Sequence, residues 1–171
     1  PGDRHEVRRD LFIEAIEVAH GRRVPALGYV LLETRRKLRP EFGELTGPEI
    51  VALKNKGTEI TFTTEVPQVA YLGDTQLFDL SANPLLADAR VLITECTFFE
   101  NEHRSRAKAG FHMHVDNMPE LLEMSRAEAV VLTHVTRRTG LRLARRKLEK
   151  LITPEQAGRV HFLMERKGEQ G

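Results

Sequence analysis

Three side chains with acid–base or metal-binding chemistry each follow a short apolar run of the sequence. Asp74 follows Val-Ala-Tyr-Leu-Gly, Glu95 follows Arg-Val-Leu-Ile-Thr, and His134 follows Ala-Val-Val-Leu-Thr. Nearly continuous apolar runs of this length are typical of strands that are buried on both faces of a layered α/β fold. Because open α/β sheets place their sites at the carboxyl ends of strands, we predict that the three groups converge.

A fourth element with possible chemistry is the pair His112 and His114, which lies in a predicted loop. Carboxylates and imidazoles together form a ligand set that suits Zn²⁺ or a similar divalent cation. Each residue also has a purely structural interpretation: a turn residue at Asp74, an arginine partner at Glu95, a satisfied buried histidine at His134 and a solvated loop at 112–114. The coincidence of three strand ends and one loop favours a site of some kind.

The elements that must position these groups alternate between strands and helices, which indicates one α/β layer architecture. Strands are predicted at 29–34, 58–65, 69–73, 90–94, 129–133 and 160–164. An amphipathic helix is predicted over 139–152, and further helices over 48–56, 98–109 and 116–124, the last with Asp116 as its N-cap. The segment 11–20 fits a helix or a strand equally well.

The bulk composition is that of a globular chain, which we treat as a single region over 1–171. The chain carries 26 basic and 25 acidic residues, so its net charge of +1 indicates no particular partner. No apolar stretch reaches the roughly 18 residues of a membrane-spanning helix. The single cysteine, Cys96, excludes an intrachain disulfide and favours a reducing, cytoplasmic location.

The order of the motifs resembles the second half of ribonuclease Z, a family of hydrolases with the metallo-β-lactamase fold. Gly73-Asp74-Thr75 is similar to one family motif, and the run from Glu95 to Phe98 is similar to a Glu-x-Thr-Phe motif. The 112–114 element and Thr133-His134 follow in the family's order, and 23–29 resembles the stretch between the family's two halves. The resemblance implies an α/β fold, namely half of a four-layered αββα sandwich with a mixed sheet and helices on its outer face.

The resemblance also implies a metal-dependent phosphodiesterase whose complete site holds two divalent ions, with zinc expected. Asp74 matches the family's bridging metal ligand, since a carboxylate can hold two cations through its two oxygens. His134 matches a terminal ligand of one of the metals.

Three further groups that act beside the metals have matches among four residues. One histidine of the pair matches a non-ligand group that contacts the phosphate and protonates the leaving oxygen; His112 fits the spacing better, and His114 is the alternative. Glu95 matches an acid that orients a neighbouring imidazole. Arg138 matches an arginine that pairs with phosphate or with Glu95.

The sequence departs from the family in three places. The His-x-His-x-Asp-His cluster of the family's first half is absent, the arm expected between Tyr29 and Thr58 is short, and Thr136 and Thr139 replace a serine and a tyrosine. We therefore expect Pro1 to mark a cut from a longer protein rather than a removed initiator Met. RNA or a smaller phosphodiester is the expected substrate. The alternatives are a hydrolase of the same fold acting on a thioester, lactone or lactam, and a catalytically incomplete fragment with a structural or binding role.

Half of such a sandwich would leave one apolar face of its sheet uncovered. The residues expected to contribute to that face are Val69, Tyr71, Val91, Ile93, Val130 and Leu132. Its cover would be the missing N-terminal half, which we favour, a second copy of the chain, or 11–20 folding back. Two basic clusters, at 35–39 and 137–150, are either solvated surfaces or surfaces that follow a phosphate backbone.

Overall fold

The computed structural model describes residues 1–21, 25–136 and 138–163, and in these ranges seven strands form one mixed sheet. The order across the sheet equals the order along the chain. The strands are β1 (Arg4–Arg8), β2 (Leu11–Val18), β3 (Ala26–Leu38), β4 (Thr61–Tyr71), β5 (Val91–Glu95), β6 (Ala129–Thr133) and β7 (Val160–Phe162). Pairing is antiparallel from β1 to β4 and parallel from β4 to β7. The predicted α/β fold with a mixed sheet is confirmed.

Short helices lie in the connections between the parallel strands and in the connection from β3 to β4. They are α1 (Gly47–Asn55), α2 (Pro84–Ala87), α3 (Arg104–Gly110), α4 (Met118–Met124), α5 (Leu141–Glu149) and α6 (Pro154–Gly158). Among the described residues, no helix has the length and apolar character needed to cross a bilayer.

The core lies between one face of the sheet and the helices that cover it. Ala70, Leu92, Val130 and Val160 are neighbours across four strands and are almost completely buried. Leu121 of α4, like other buried side chains of α4 and α5, belongs to the same apolar cluster. Burying a leucine or valine side chain contributes about 1.5–3 kcal/mol, so this row anchors the strands that carry the predicted site residues.

Four features of the local structure differ from the sequence prediction. The segments 58–65 and 69–73 belong to one strand, because a bulge beside Pro67 leaves Gln68 without a partner residue and so accommodates the missing N–H. Phe98 is extended and bridges to His114, so the helix predicted from 98 begins only in the turn at Asn101–His103. The strand expected at 160–164 is seen over Val160–Phe162, and residue 164 lies outside the described ranges.

The fourth difference concerns the N-cap of the helix at 118–124. Asp116 lies inside a 3₁₀ turn, Val115–Asn117, and it is the side chain of His114 that caps this turn. The prediction of Asp116 as the cap is therefore wrong. The segment left open between helix and strand, 11–20, contains β2, which pairs along its whole length with β3.

The second face of the sheet is only partly covered. Tyr29 and Tyr71 are each 45% exposed on it, and Leu27 is 39% exposed, which is high for large apolar side chains. Val69, Val91 and Ile93 alternate with buried neighbours and lie on this face, as predicted. We call this surface the open face.

Two of the six residues predicted for the open face lie elsewhere. Val130 and Leu132 are buried beneath the helices, and Val131 between them points to the open face beside Ile93. The strand β6 is apolar on both faces, so alternation alone did not show which residues face the helices.

Candidate metal centre

The carboxyl ends of four strands meet at one edge of the sheet. The strands β4, β5 and β6 are parallel, and β2 runs in the same direction because both β2 and β4 are antiparallel to β3. His20, Asp74 and His134 follow β2, β4 and β6, and Glu95 ends β5. The side chains that the strand-end rule singled out are therefore brought to the same edge.

Asp74 and His134 are in contact at this edge. The Oδ1 atom of Asp74 lies 3.2 Å from Nδ1 of His134, and both side chains are about half exposed, at 48% and 51%. His134 has a φ angle of 56°, a left-handed conformation that is uncommon for a residue other than glycine. Backbone strain of this kind concentrates at functional sites, where the surrounding structure imposes it.

Glu95 is buried and has hydrogen bonds to both of its carboxylate oxygens. Its Oε1 accepts the Thr75 N–H at 3.0 Å and lies 2.6 Å from Nδ1 of His112, while its Oε2 accepts the hydroxyl of Thr97. The same Thr97 hydroxyl lies 3.0 Å from Nδ1 of His134. A buried carboxylate with all these hydrogen bonds is held rigidly. Glu95 thus contacts His112 directly and is connected to His134 through the Thr97 hydroxyl.

His112 lies between the other two imidazoles. Its ring centroid is 5.1 Å from that of His20 and 5.4 Å from that of His134. A side chain at Gly110 would bring a Cβ to 3.1 Å from the His112 ring, so a larger residue there would press on the ring. With Nδ1 held by Glu95, Nε2 is the ring nitrogen that remains for chemistry.

His20 belongs to the same cluster, although the sequence analysis gave it no role. Its Nδ1 lies 3.0 Å from the carbonyl oxygen of Phe111, and ligand atoms of His20, Asp74 and His112 all lie within 4.8 Å of one another. The signal that could have found His20 is the strand-end rule itself, because it follows β2 by two residues. The segment 11–20 fitted helix and strand equally well, so that rule could not be applied there.

Two overlapping groups of side chains have the spacing of a metal site: His20, Asp74 and His112, and Glu95, His112 and His134. Both oxygens of Glu95 are already engaged by protein donors, which makes it a poor ligand. Nδ1 of His20 lies against the Phe111 carbonyl oxygen, which leaves Nε2 for an ion, as in many metal-binding histidines. Nδ1 of His134 lies near both the Thr97 hydroxyl and Asp74. Asp74 belongs to the first group and also contacts His134 at 3.2 Å, and imidazole and carboxylate are both ligand types of Zn²⁺.

Two predicted residues are not part of this cluster. His114 is buried, and its Nδ1 accepts the Asp116 N–H at 3.2 Å while its Nε2 lies 3.1 Å from the Glu100 carbonyl oxygen. Arg138 is exposed, and it is not among the hydrogen-bond partners of Glu95 in the ranges that the structure describes. Between His112 and His114, the geometry places His112 in the site and His114 in the support of the following helix.

Replacing His114 with Ala is expected to reduce stability and leave the activity of the folded molecules unchanged. The change removes a cap and a buried hydrogen bond, which together contribute about 1–3 kcal/mol. Urea unfolding measures the loss, and turnover divided by the folded fraction measures the activity. A fall in activity per folded molecule that matches the fall for a His112 variant would place His114 in the chemistry instead.

Cys96 adjoins Glu95 but belongs to the core. Its side chain is fully buried, and burial raises the pKa of the thiol well above its ordinary value. A thiol that stays protonated is a poor nucleophile and a poor metal ligand. We therefore assign Cys96 to packing beneath the site.

The sheet, its outer helices and the histidine–carboxylate cluster at the strand ends form an α/β layer with a candidate metal centre at one edge. A family model described as a Beta-lactamase superfamily domain matches residues 46–135, which is more than half of the chain. The chain belongs to this superfamily, and the motif resemblance to ribonuclease Z is confirmed by the relatives that follow.

Two relatives from Arabidopsis thaliana carry the name tRNase Z. The chain is 34% identical over 157 residues to tRNase Z TRZ2, chloroplastic, an alignment that covers 88% of the chain and 43% of that protein. It is 32% identical over 169 residues to tRNase Z TRZ1, covering 95% of the chain and 58% of that protein. The chain therefore spans about half the length of these relatives.

Solved structures show the same fold at low identity. The metallo-beta-lactamase fold protein YhfI from Bacillus subtilis superimposes with a TM-score of 0.58 at 17% identity, covering 95% of the chain and 50% of that structure. The short form of human tRNase Z superimposes with a TM-score of 0.50 at 17% identity, covering 91% of the chain and 41% of that structure. The metallo-β-lactamase fold that the motifs implied is thereby confirmed.

Proposed function

We propose that the chain is the C-terminal half of a metal-dependent phosphodiesterase of the ribonuclease Z type. Its proposed substrate is RNA, and in particular precursor tRNA. The observation that carries the proposal is the contact of Asp74 with His134 at 3.2 Å, beside a His112 that is backed by buried Glu95. The relatives named tRNase Z support the same activity and substrate.

Three residues of this chain would hold the metal ions. Asp74 offers two oxygens and would bridge two cations, His134 would bind one of them, and His20 would bind the other. Zinc is the cation we propose, because its protein ligands are imidazole, carboxylate and thiolate. When bound, such ions supply Lewis-acid activation of the phosphodiester and of the attacking water.

The remaining residues would orient the substrate and handle a proton. Glu95 holds the His112 ring through Nδ1, and in its doubly protonated form the ring could give the Nε2 proton to the leaving oxygen. Thr97 holds the second oxygen of Glu95 and Nδ1 of His134 through the same hydroxyl. Arg138, which is exposed four residues after His134, would pair with a substrate phosphate.

A hydrolase acting on a thioester, lactone or lactam is the second candidate for the same fold. A His–Glu pair that could supply a proton suits an alkoxide leaving group, which needs protonation, and this favours a phosphodiester over a thioester. The deciding experiment offers the complete protein an RNA hairpin with a 3′ extension, a small phosphodiester, a thioester and a lactam. We expect cleavage of the RNA that leaves a 3′ hydroxyl on the hairpin, and faster turnover of a lactam or thioester would overturn the proposal.

The cover of the open face forms part of this proposal. We propose that 1–171 is a single region. A preceding half of the protein would pack on the open face and supply the remaining metal ligands. A second copy of the chain is the alternative cover. Tyr29 and Tyr71, each 45% exposed, would be buried by either partner. Light scattering of the chain alone and of the chain joined to its preceding segment distinguishes them. If that segment carries no metal ligands, the chain is instead a structural or binding fragment. A cytoplasmic location remains a prediction.

The isolated 171-residue chain is expected to bind zinc weakly and to show little turnover. His20, Asp74 and His134 would be shared between two ions, whereas a catalytic zinc takes about three protein ligands by itself. Isothermal titration calorimetry with ZnCl₂ measures the binding. Tight binding of two zinc ions by the isolated chain would contradict the half-site arrangement.

A further inference from the structure

The outward face of α5 carries a stripe of basic side chains. Arg142, Arg146 and Lys150 are exposed and follow one another at intervals of four residues, so they lie in one row. Ala144 and Leu148 on the opposite side of the helix are buried in the core. The helix is thus held by its apolar side, and its basic row is presented to solvent.

The other charged residues of α5 are engaged in internal contacts. Arg145 stacks on the ring of Phe162 with 5.3 Å to its centroid and lies 3.9 Å from Glu149, the one acidic residue of the helix. Lys147 contacts Glu100 and donates to the Phe99 carbonyl at 3.2 Å. Across the described part of the chain, no carboxylate is paired with Arg142, Arg146 or Lys150. The stripe is therefore uncompensated positive charge.

The helix that carries the stripe follows the metal centre closely along the chain. The helix α5 starts seven residues after His134, and the connection is held to the site because the Thr136 N–H donates to the Thr97 carbonyl at 3.2 Å. Since β6 and β7 are parallel, α5 must run from the site edge of the sheet toward the opposite edge. The basic row therefore leads away from the site.

We propose that Arg142, Arg146 and Lys150 form a docking surface for the sugar–phosphate backbone of the RNA strand whose cleaved bond lies at the metal centre. This inference rests on the proposed function, and it distinguishes a polynucleotide from a small phosphodiester. From Arg142 to Lys150 the helix rises about 12 Å, which is more than a small substrate held at the site would reach. Contacts of this kind set register and affinity without reading bases.

The test compares two double variants that remove the same charge. Arg142→Gln with Arg146→Gln changes the stripe, whereas Arg8→Gln with Arg9→Gln changes two exposed arginines at the turn before β2, on the edge opposite the site. Anisotropy of a labelled RNA hairpin with a single-stranded 3′ extension is measured between 50 and 200 mM KCl, without added metal. Thermal unfolding of each variant establishes that it is folded.

The stripe variant is expected to bind roughly tenfold more weakly at 0.1 M salt, with a plot of log K against log salt that is shallower by about 1.5 to 2. The control variant should keep the original affinity and slope. The proposal is overturned if the two variants behave alike, if the chain binds no RNA, or if a peptide nucleic acid of the same sequence, which lacks phosphates, binds equally well. Hydrolysis by the complete protein is scored separately. RNA binding through the stripe with no cleavage would therefore reject the proposed function alone, and cleavage with unchanged binding would reject the stripe alone.

Discussion

Replacing Asp74 with Asn is expected to lower RNA hydrolysis by the complete protein by roughly three orders of magnitude, because metal-ion stabilisation of the reacting phosphate contributes several kcal/mol. The substitution is nearly isosteric and the side chain is half exposed, so the fold should be unaffected. The amide that replaces the carboxylate has one acceptor oxygen and no charge, and it therefore cannot bridge two cations. The variant should also contain less metal than the parent protein.

The measurement pairs initial rates on an RNA hairpin substrate with metal content determined by plasma mass spectrometry. Asp79→Asn is the matched control, because Asp79 is an exposed aspartate of the same loop that accepts hydrogen bonds from Ser81, which an Asn oxygen can also do. The control should keep both rate and metal. A D74N protein with full metal content and a rate within tenfold of the parent would remove Asp74 from the metal centre.

The convergence of Asp74, Glu95 and His134 could be predicted because each follows a strand with an unmistakable apolar pattern. The strands β5 and β6 are short, buried and parallel, so their carboxyl ends have only one edge at which to meet. The strands β5, β6 and β7 and the helices α3, α4 and α5 were also predicted in the right order, whereas α2 and α6 were not predicted. Local pattern is sufficient there because propensity, burial and connection length all favour the same arrangement.

His20 could not be predicted by the same rule, because its strand is amphipathic in a way that a short helix also satisfies. The segment is a strand because β2 pairs with β3 along its full length, and this pairing is a tertiary interaction. Which of His112 and His114 lies in the site also depends on residues distant in the sequence. Glu95 binds the first, and the backbone of Glu100 binds the second.

The sequence also could not show which residues of β6 face the helices and which face the open face. Val130, Val131 and Leu132 are all apolar, so β6 reads the same from either side. The helices decide the matter, since buried side chains of α4 and α5 cover Val130 and Leu132 and leave Val131 on the open face. A strand that is apolar on both faces indicates that both faces are covered in the complete molecule, which is consistent with a second layer over the open face.

Replacing His112 with Ala is expected to reduce RNA cleavage by roughly 10²- to 10⁴-fold while metal content stays the same, because a positioned general acid contributes about that much. The Nδ1 atom of His112 is held 2.6 Å from buried Glu95, so the doubly protonated ring would deliver its proton from Nε2. Glu95→Gln should have a smaller effect in the same direction, of about 10- to 100-fold, because it only disturbs the orientation of the ring.

The sharpest measurement compares RNA with a nitrophenyl phosphodiester on the same variant. The nitrophenolate leaving group departs without a proton, so His112→Ala should slow its release far less than it slows RNA cleavage. His161→Ala serves as the control, since His161 is an exposed histidine of β7 that pairs with Val131 and lies outside the cluster. Equal losses on both substrates, together with a lower metal content, would show that His112 binds a metal ion, as its position within 4.8 Å of the ligand atoms of His20 and Asp74 also permits. The general-acid role would then have to be given up, because an Nε2 bound to a cation carries no proton to donate.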